Sequence, residues 1–366
     1  GATLTALGKN GSVLLSAGEN ISLDTKKLQS EKDMTANAEN YLRIKRGTEL
    51  GTEIRADGNI SLAAGNDLKA RAATIESKNG TVSLSAGNDI SLTAGRETAE
   101  DHYGIRYKSG GLLSAKTTAI RTDNETDTAI TSKVTGANVS IAAKRDASFT
   151  ATDIAADHDV KIAAGRNVSV TSAENYSHTE NVKEVKKSGV FSSGGLGFTI
   201  GTQKTKTAHD SDAITQQGTN IAALSGSVSI AAGENAHISS SNILAAKDAT
   251  IAAKETILDG KDNIYRESFT QESRTTGLTV SLSHGLLSLG QEIAAPLQRL
   301  GEVKDDRLKA VYAWKAGRLI HENFGKGQNP LKDAAGFSLN LNLGTSKSYS
   351  RTESVTREYA GSKIAA

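Results

Sequence analysis

One phrase recurs along this chain and constrains its fold more than any other feature: apolar-x-apolar-small-Ala-Gly-x-Asn/Asp. It reads Val13-Leu14-Leu15-Ser16-Ala17-Gly18-Glu19-Asn20, then Ile60-Ser61-Leu62-Ala63-Ala64-Gly65-Asn66-Asp67, then Val82-Ser83-Leu84-Ser85-Ala86-Gly87-Asn88-Asp89. Two more copies are Val160-Lys161-Ile162-Ala163-Ala164-Gly165-Arg166-Asn167 and Val228-Ser229-Ile230-Ala231-Ala232-Gly233-Glu234-Asn235. Weaker copies carry Lys in place of Gly, at Ile141-Ala142-Ala143-Lys144 and Ile251-Ala252-Ala253-Lys254. Adjacent copies set the period: Gly65 to Gly87 is 22 residues and Lys144 to Gly165 is 21. Apolar residues alternate with polar ones, which is the period of a strand. The Ala-Gly-x-Asn/Asp step marks a corner, where Gly or Asn can adopt positive φ.

Short strands and corners at this spacing wind the coils of a solenoid. The expected fold is all-β: a right-handed parallel β-helix of ~20-residue coils, stacked at the spacing of hydrogen-bonded strands. A β-sandwich or barrel would not repeat one corner phrase five times. Composition agrees. The chain has 366 residues, 4% aromatic, one Trp, one Met and no Cys. Small and β-branched residues suit a thin, elongated core. Absence of Cys removes disulfides, thiolate catalysis and Cys-ligated zinc. A net charge of +2, from 43 basic and 41 acidic residues, gives no overall pull toward a polyanion, so no nucleic-acid partner is expected. No apolar run reaches the ~18 residues of a spanning helix. Gly1–Asn10 lacks the basic start and apolar stretch of a signal peptide. Repeat-like sequence at both ends, Ala2-Thr3-Leu4 and Ser362-Lys363-Ile364-Ala365-Ala366, reads as a piece of a longer protein.

The repeat is interrupted three times, near Glu97–Thr131, Glu174–Gln217 and Ile264–Tyr359. Each interruption sends out a polar arm, reaches a Gly-rich apolar tip and returns by a polar arm. Alternation in Leu278-Thr279-Val280-Ser281-Leu282-Ser283 and in Phe337-Ser338-Leu339-Asn340-Leu341-Asn342-Leu343 predicts long β-hairpins. The third tip carries an insert over 286–324. Leu286–Leu300 and Glu302–Phe324 read as two helices broken near Pro296 and Gly301. Leu308, Val311, Tyr312, Ala316, Leu319 and Ile320 lie at helical spacing. The expected organisation is therefore coils over 1–96, a hairpin over 97–131, coils over 132–173, a hairpin over 174–217, coils over 218–263, a long hairpin over 264–359 and the start of another coil over 360–366.

The repeat, its Gly-rich hairpins and the stretch Arg307-Leu308-Lys309-Ala310-Val311-Tyr312-Ala313-Trp314-Lys315-Ala316-Gly317 resemble the haemagglutinin-repeat region of large two-partner-secreted exoproteins. These are the filamentous haemagglutinin and contact-dependent growth inhibition families of Gram-negative bacteria. The resemblance implies a non-catalytic filament segment, secreted or held at the bacterial outer-membrane cell surface. Its parent would be exported by a dedicated outer-membrane transporter acting on parts outside this chain. The further partner would be a target-cell outer membrane or a host-cell surface. In growth-inhibition members this kind of region is implicated in toxin delivery across the target outer membrane, with the toxin at the far carboxyl end. The alternative is an adhesin shaft.

β-Helices also host polysaccharide lyases and hydrolases, which need clustered acids and bases on a coil face. Asp153, Asp157, Asp159 and Lys161 are the candidates, and solvated turn residues is the preferred reading. Seven His (His102, His158, His178, His209, His237, His284, His321) fall in no metal-binding pattern. The corners lack the calcium-binding phrase of β-rolls. Gly195-Leu196-Gly197 fits a hairpin turn better than a phosphate loop. No catalytic residue, metal, cofactor or small-molecule substrate is expected.

Overall fold

A computed structural model describes residues 1–111, 113–194, 197–283 and 338–366. Among these, every regular element is a strand. Three parallel sheets form the faces of a β-helix. The repeat phrase supplies the second face: Val13–Ala17, Ile60–Ala64, Thr81–Ala86, Asn138–Ala143, Val160–Ala164, Val228–Ala232 and Ala249–Ala252 stack in that order. Their register is residue for residue, so Leu15, Leu62, Leu84, Ile141, Ile162, Ile230 and Ile251 form one column through the core. On the first face Ile54, Ile75, Val134, Ile154, Ile221 and Ile243 form another. All thirteen are packed into a single hydrophobic cluster, with Leu15 and Ile251 half-exposed near its ends. Phe149 is fully buried on the third face, in register between Leu92 and Val170 of the adjacent coils.

The Asn/Asp of the phrase has a structural task. Its side-chain oxygen accepts from the backbone N–H of the equivalent residue one coil on. Asn20 accepts from Asp67 at 3.0 Å, Asp89 from Asp146 at 3.1 Å, and Asp146 from Asn167 at 3.2 Å. Asn235 continues the stack by donating to the Asn167 side chain at 3.0 Å. The glycine of the phrase serves close stacking. A Cβ on Gly65 would lie 1.9 Å from the Gly18 carbonyl oxygen, and one on Gly87 1.9 Å from that of Gly65. None of these corner glycines is left-handed, contrary to the expectation from sequence. Close approach of successive coils selects glycine here.

Apart from Asn10 (φ 58°), between the first and second faces, left-handed non-glycine residues sit where the third face turns into the first: Ala72, Ala151 and Ser240, with φ of 47°, 47° and 48°. Each makes a one-residue corner and donates its amide to the next coil, to Thr93, Thr171 and Asp259 at 3.0, 3.0 and 3.3 Å. At the intervening coils the same position opens into a hairpin. Among the described residues there are four hairpins, not three. Lys26–Asn37 pairs with Asn40–Leu50 inside the stretch expected to be plain coils over 1–96. The others pair Gly95–Gly111 with Ser114–Ile130, Ala173–Gly194 with Gly197–Gln217, and the Gly260–Ser283 part of Glu255–Ser283 with Ser338–Gly361. The helical insert expected over 286–324 and Phe337 lie outside the described residues.

Ala151 is fully buried between Ala94 and Ala173, at the bases of two hairpins. A β-branched side chain at this φ is strained and overfills the site. Ala151→Val should cost about 2–4 kcal/mol in denaturant unfolding. Ala151→Gly should stay within about 1 kcal/mol, because relief of strain offsets the lost methyl and the freer unfolded chain.

Candidate functional site

The hairpins do not stand apart. The returning strand of each pairs, antiparallel, with the outgoing strand of the next: Asn40–Leu50 with Gly95–Gly111, Ser114–Ile130 with Ala173–Gly194, and Gly197–Gln217 with Glu255–Ser283. The eight strands form one continuous antiparallel side sheet joined to the third face of the helix. Its strands lengthen along the solenoid, from 12 and 11 residues in the first hairpin to 17 and 17, then 22 and 21. The fourth pairs Gly260–Ser283 residue for residue with its return strand, roughly 80 Å of ladder at 3.3–3.4 Å per residue.

Spacing makes this continuity possible. Hairpins leave after alternate strands of the third face: Ile21–Leu23, Ile90–Thr93, Val168–Thr171 and Asp259. Two coils advance about 9.6 Å along the axis, and two antiparallel strands occupy about the same width.

Each hairpin is closed by a hydroxyl residue. Thr52, Ser132, Thr219 and Ser362 are the first residues of the resumed coil. Each donates to the carbonyl just before its hairpin: to Asp24 at 3.2 Å, Thr93 at 2.7 Å, Thr171 at 2.7 Å and Asp259 at 2.8 Å. Each also accepts an amide from the preceding coil, from Ala2 (3.5 Å), Ala73 (3.1 Å), Thr152 (3.1 Å) and Ser241 (3.3 Å). Sequence reasoning missed this clamp, although a Ser or Thr directly after each interruption was its signal. Thr219→Val keeps the shape but strands a buried carbonyl and a buried amide. It should destabilise by about 1–3 kcal/mol in urea unfolding, while Thr219→Ser should recover most of that.

The glycosidase-type candidates do not converge. Asp153 accepts from Thr131 at 3.0 Å and from Asn220 at 2.8 Å on the first face. Asp159 accepts the Ser227 amide at 2.9 Å at a corner, and the Asp157 carbonyl accepts from the Ser225 hydroxyl at 2.5 Å. Lys161 is exposed on the second face. Gly195 and Leu196 lie outside the described residues, as do His284 and His321. His158 meets Ser225 at 3.0 Å and His237 meets Asp259 at 3.2 Å, both in contacts between coils. His209 is exposed and pairs in register with Phe269.

Two other histidines meet carboxylates within the side sheet. His102 Nδ1 lies 2.8 Å from Asp123, and His178 Nδ1 lies 2.8 Å from Asp212. Asp123, Glu180 and Asp210 stand directly opposite one another on three consecutive strands, an arrangement that repels. Arg121 relieves it by bridging Asp123 and Glu180. His178, Asp210 and Asp212 bring one ligand atom each within 4.8 Å of one another. This trio is a grouping the scattered sequence positions did not reveal. Its shortest contact is a satisfied histidine–carboxylate pair.

The Asp212 hydrogen bond raises the pKa of His178, with the Asp212 charge adding to it and burial opposing. Raised above the ordinary histidine value of 6.5, the group contributes stability in full below that pH and loses it as pH rises through the folded value. The melting-temperature gap between the native chain and His178→Gln should be widest at about pH 5–6.5 and shrink above it. A gap that stays constant from about pH 5 up to about pH 9 would discount the ion pair.

The profile described as Hemagglutinin repeat matches residues 42–110 and 113–259, more than half of the chain. The chain belongs to the hemagglutinin-repeat family. Its relatives are similarly named. It is 33% identical over 322 residues to the tRNA nuclease CdiA of Escherichia coli strain STEC_O31, covering 84% of this chain and 9% of that protein. It is 34% identical over 279 residues to the tRNA nuclease CdiA of E. coli O6:K15:H31, covering 73% and 8%. It is 31% identical over 327 residues to the 16S rRNA endonuclease CdiA of Enterobacter cloacae, covering 84% and 10%. The hemagglutinin-repeat chain thus spans about a tenth of the length of these curated relatives. No solved structure matches it.

Proposed function

We propose that this chain is a non-catalytic structural segment of a secreted, surface-exposed exoprotein of the contact-dependent growth inhibition type, and that its side sheet assists toxin delivery across a target-cell outer membrane. The carrying observation is the side sheet itself. A plain shaft needs only one-residue corners such as Ala72 and Ala151, yet every second coil departs from that economy to extend a shared ribbon. The differing nuclease names of the relatives support assigning their chemistry to regions this chain does not match. Export would depend on a dedicated outer-membrane transporter that engages other parts of the protein. Relatives named CdiA favour this reading over an adhesin shaft.

The fold suggests its own test. Replacing 172–218 by a single Ala would close the corner as Ala72 and Ala151 do, and would remove two strands from the middle of the ribbon. In the full-length exoprotein, surface display should persist while growth inhibition of target cells in co-culture falls to the background of a toxin-less strain. Undiminished inhibition at equal display would defeat the delivery role. Loss of binding to host cells with inhibition intact would favour the adhesin alternative.

A further inference from the structure

Laying the hairpins in register exposes a zoning that no single hairpin shows. Gly189, Gly201, Gly277 and Gly344 form a straight row across four adjacent strands. A Cβ would lie 2.0 Å from the Leu113 carbonyl oxygen at Gly189, 2.1 Å from that of Thr276 at Gly201, and 2.2 Å from that of Ile200 at Gly277. Gly189 and Gly277 have φ of +102° and +148°. At Gly189, Gly201 and Gly277 the row is therefore a crease that side chains cannot occupy, while a Cβ on Gly344 would meet nothing nearer than 3.7 Å.

Three residues below it runs a cationic rung. Lys186 pairs with Lys204, Lys204 with Arg274, and Arg274 with Lys347, so four positive charges stand directly opposite one another on four strands. Directly opposed like charges destabilise a sheet. All four are exposed, and among the described residues only Lys204 has an ion-pair partner, Glu184 at 2.9 Å. With Tyr349, three of them (Lys204, Arg274 and Lys347) help line a shallow depression of about 330 Å³. Lys108, Lys116 and Lys187 extend the positive zone. The stretches 108–117, 186–204, 274–283 and 338–347 contain no Asp or Glu. Acids crowd the basal part instead, as in the Asp123–Glu180–Asp210 ladder.

Just past the crease the pairing positions turn apolar. Val190, Ile200, Leu278 and Leu343 form the first row, and Phe198, Val280 and Leu341 share a later one. Ile200, Leu341 and Leu343 are 47, 62 and 81% exposed. The rung and the first apolar row are four residues apart, roughly 13 Å at strand rise.

We propose that the outer part of the side sheet binds a lipid surface bearing anionic phosphate headgroups, with the Lys186–Lys204–Arg274–Lys347 rung at the headgroups and the apolar rows beyond the glycine crease in the acyl layer. This rests on the delivery reading above and names the chemistry of the surface met. A cationic row alone would suit any polyanion. The exposed Ile200, Leu341 and Leu343 on its outer side select a surface with an apolar interior, and single-stranded RNA becomes the competing outcome.

The test uses the whole chain and vesicle flotation. Vesicles of phosphatidylcholine are compared with phosphatidylcholine containing phosphatidylglycerol, at low and high salt. Binding to the anionic vesicles should exceed binding to the neutral ones. The fourfold variant Lys186→Gln, Lys204→Gln, Arg274→Gln, Lys347→Gln should lower it by on the order of 100-fold or more. A control variant removing four basal cations (Lys26, Lys27, Lys32, Lys45) should bind as the native chain does, and circular dichroism should show all three folded alike. Leu341→Ser with Leu343→Ser should abolish the fraction that survives high salt. Soluble glycerol 3-phosphate should not compete, because the rung acts on a surface and not on one phosphate. Equal binding to both vesicle types, no effect of the fourfold change, or rung-dependent binding to RNA with none to vesicles would each overturn the proposal. Because growth inhibition is read separately, loss of inhibition on excising 172–218 with rung-independent vesicle binding would refute this inference and leave the delivery reading standing.

Discussion

Coil-to-coil backbone hydrogen bonding sets the unit of length on which everything else in this molecule depends. Parallel strands in register advance the solenoid by about 4.8 Å per coil, and antiparallel strands of a hairpin lie the same distance apart. The two repeats match only if a hairpin of two strands issues once per two coils. That is the observed alternation between one-residue corners at Ala72, Ala151 and Ser240 and hairpins in between. A hairpin at every coil would crowd its neighbours. One at every third would leave gaps with unpaired backbone groups, which are templates for unwanted pairing.

The corner between the third and first faces is where this alternation is decided. One solution spends a left-handed residue and keeps the chain on the coil. The other lets the chain leave and holds the opening with a hydroxyl that spans the carbonyl before the hairpin and the amide of the preceding coil. Both solutions continue the backbone ladder, so a coil loses little by hosting an excursion. Length is then free to vary, and the hairpins grow from 12 to more than 20 residues without disturbing the core columns.

The core and the side sheet follow different economies. Inside the coils, stacked Ile, Leu, Val and Ala repeat a small apolar contribution once per coil, so stability accumulates along the axis. In the side sheet, backbone pairing carries the structure and side chains are mostly half-buried or exposed. Thr, Ser and charged residues therefore dominate its basal part, and charge can be arranged in zones. Acids and histidines gather toward the solenoid, cations below the glycine row, apolar residues beyond it. Four like charges in one rung lower the sheet's own stability, which is why the rung invites a partner outside the chain.

The sequence by itself determined the solenoid, because its signals are local. Alternation within five residues makes a strand, and recurrence after 21 or 22 residues stacks like on like. The Asn/Asp of the phrase was also legible as a corner residue, although its bond to the next coil was not. The first hairpin escaped notice because Lys26–Asn37 is exposed throughout and mostly polar, with only Leu28, Met34 and Ala36 apolar and no sustained alternation. The 47 residues between Gly18 and Gly65, more than two periods, were its trace. Only the tertiary structure decided that the hairpins join. Their pairing depends on distance along the axis, which no local pattern encodes, and on registers between segments such as Lys186, Lys204, Arg274 and Lys347 that lie far apart in the chain. A charge balance of +2 concealed the zoning for the same reason. Net charge sums over the chain, while a surface is made of what folding places side by side.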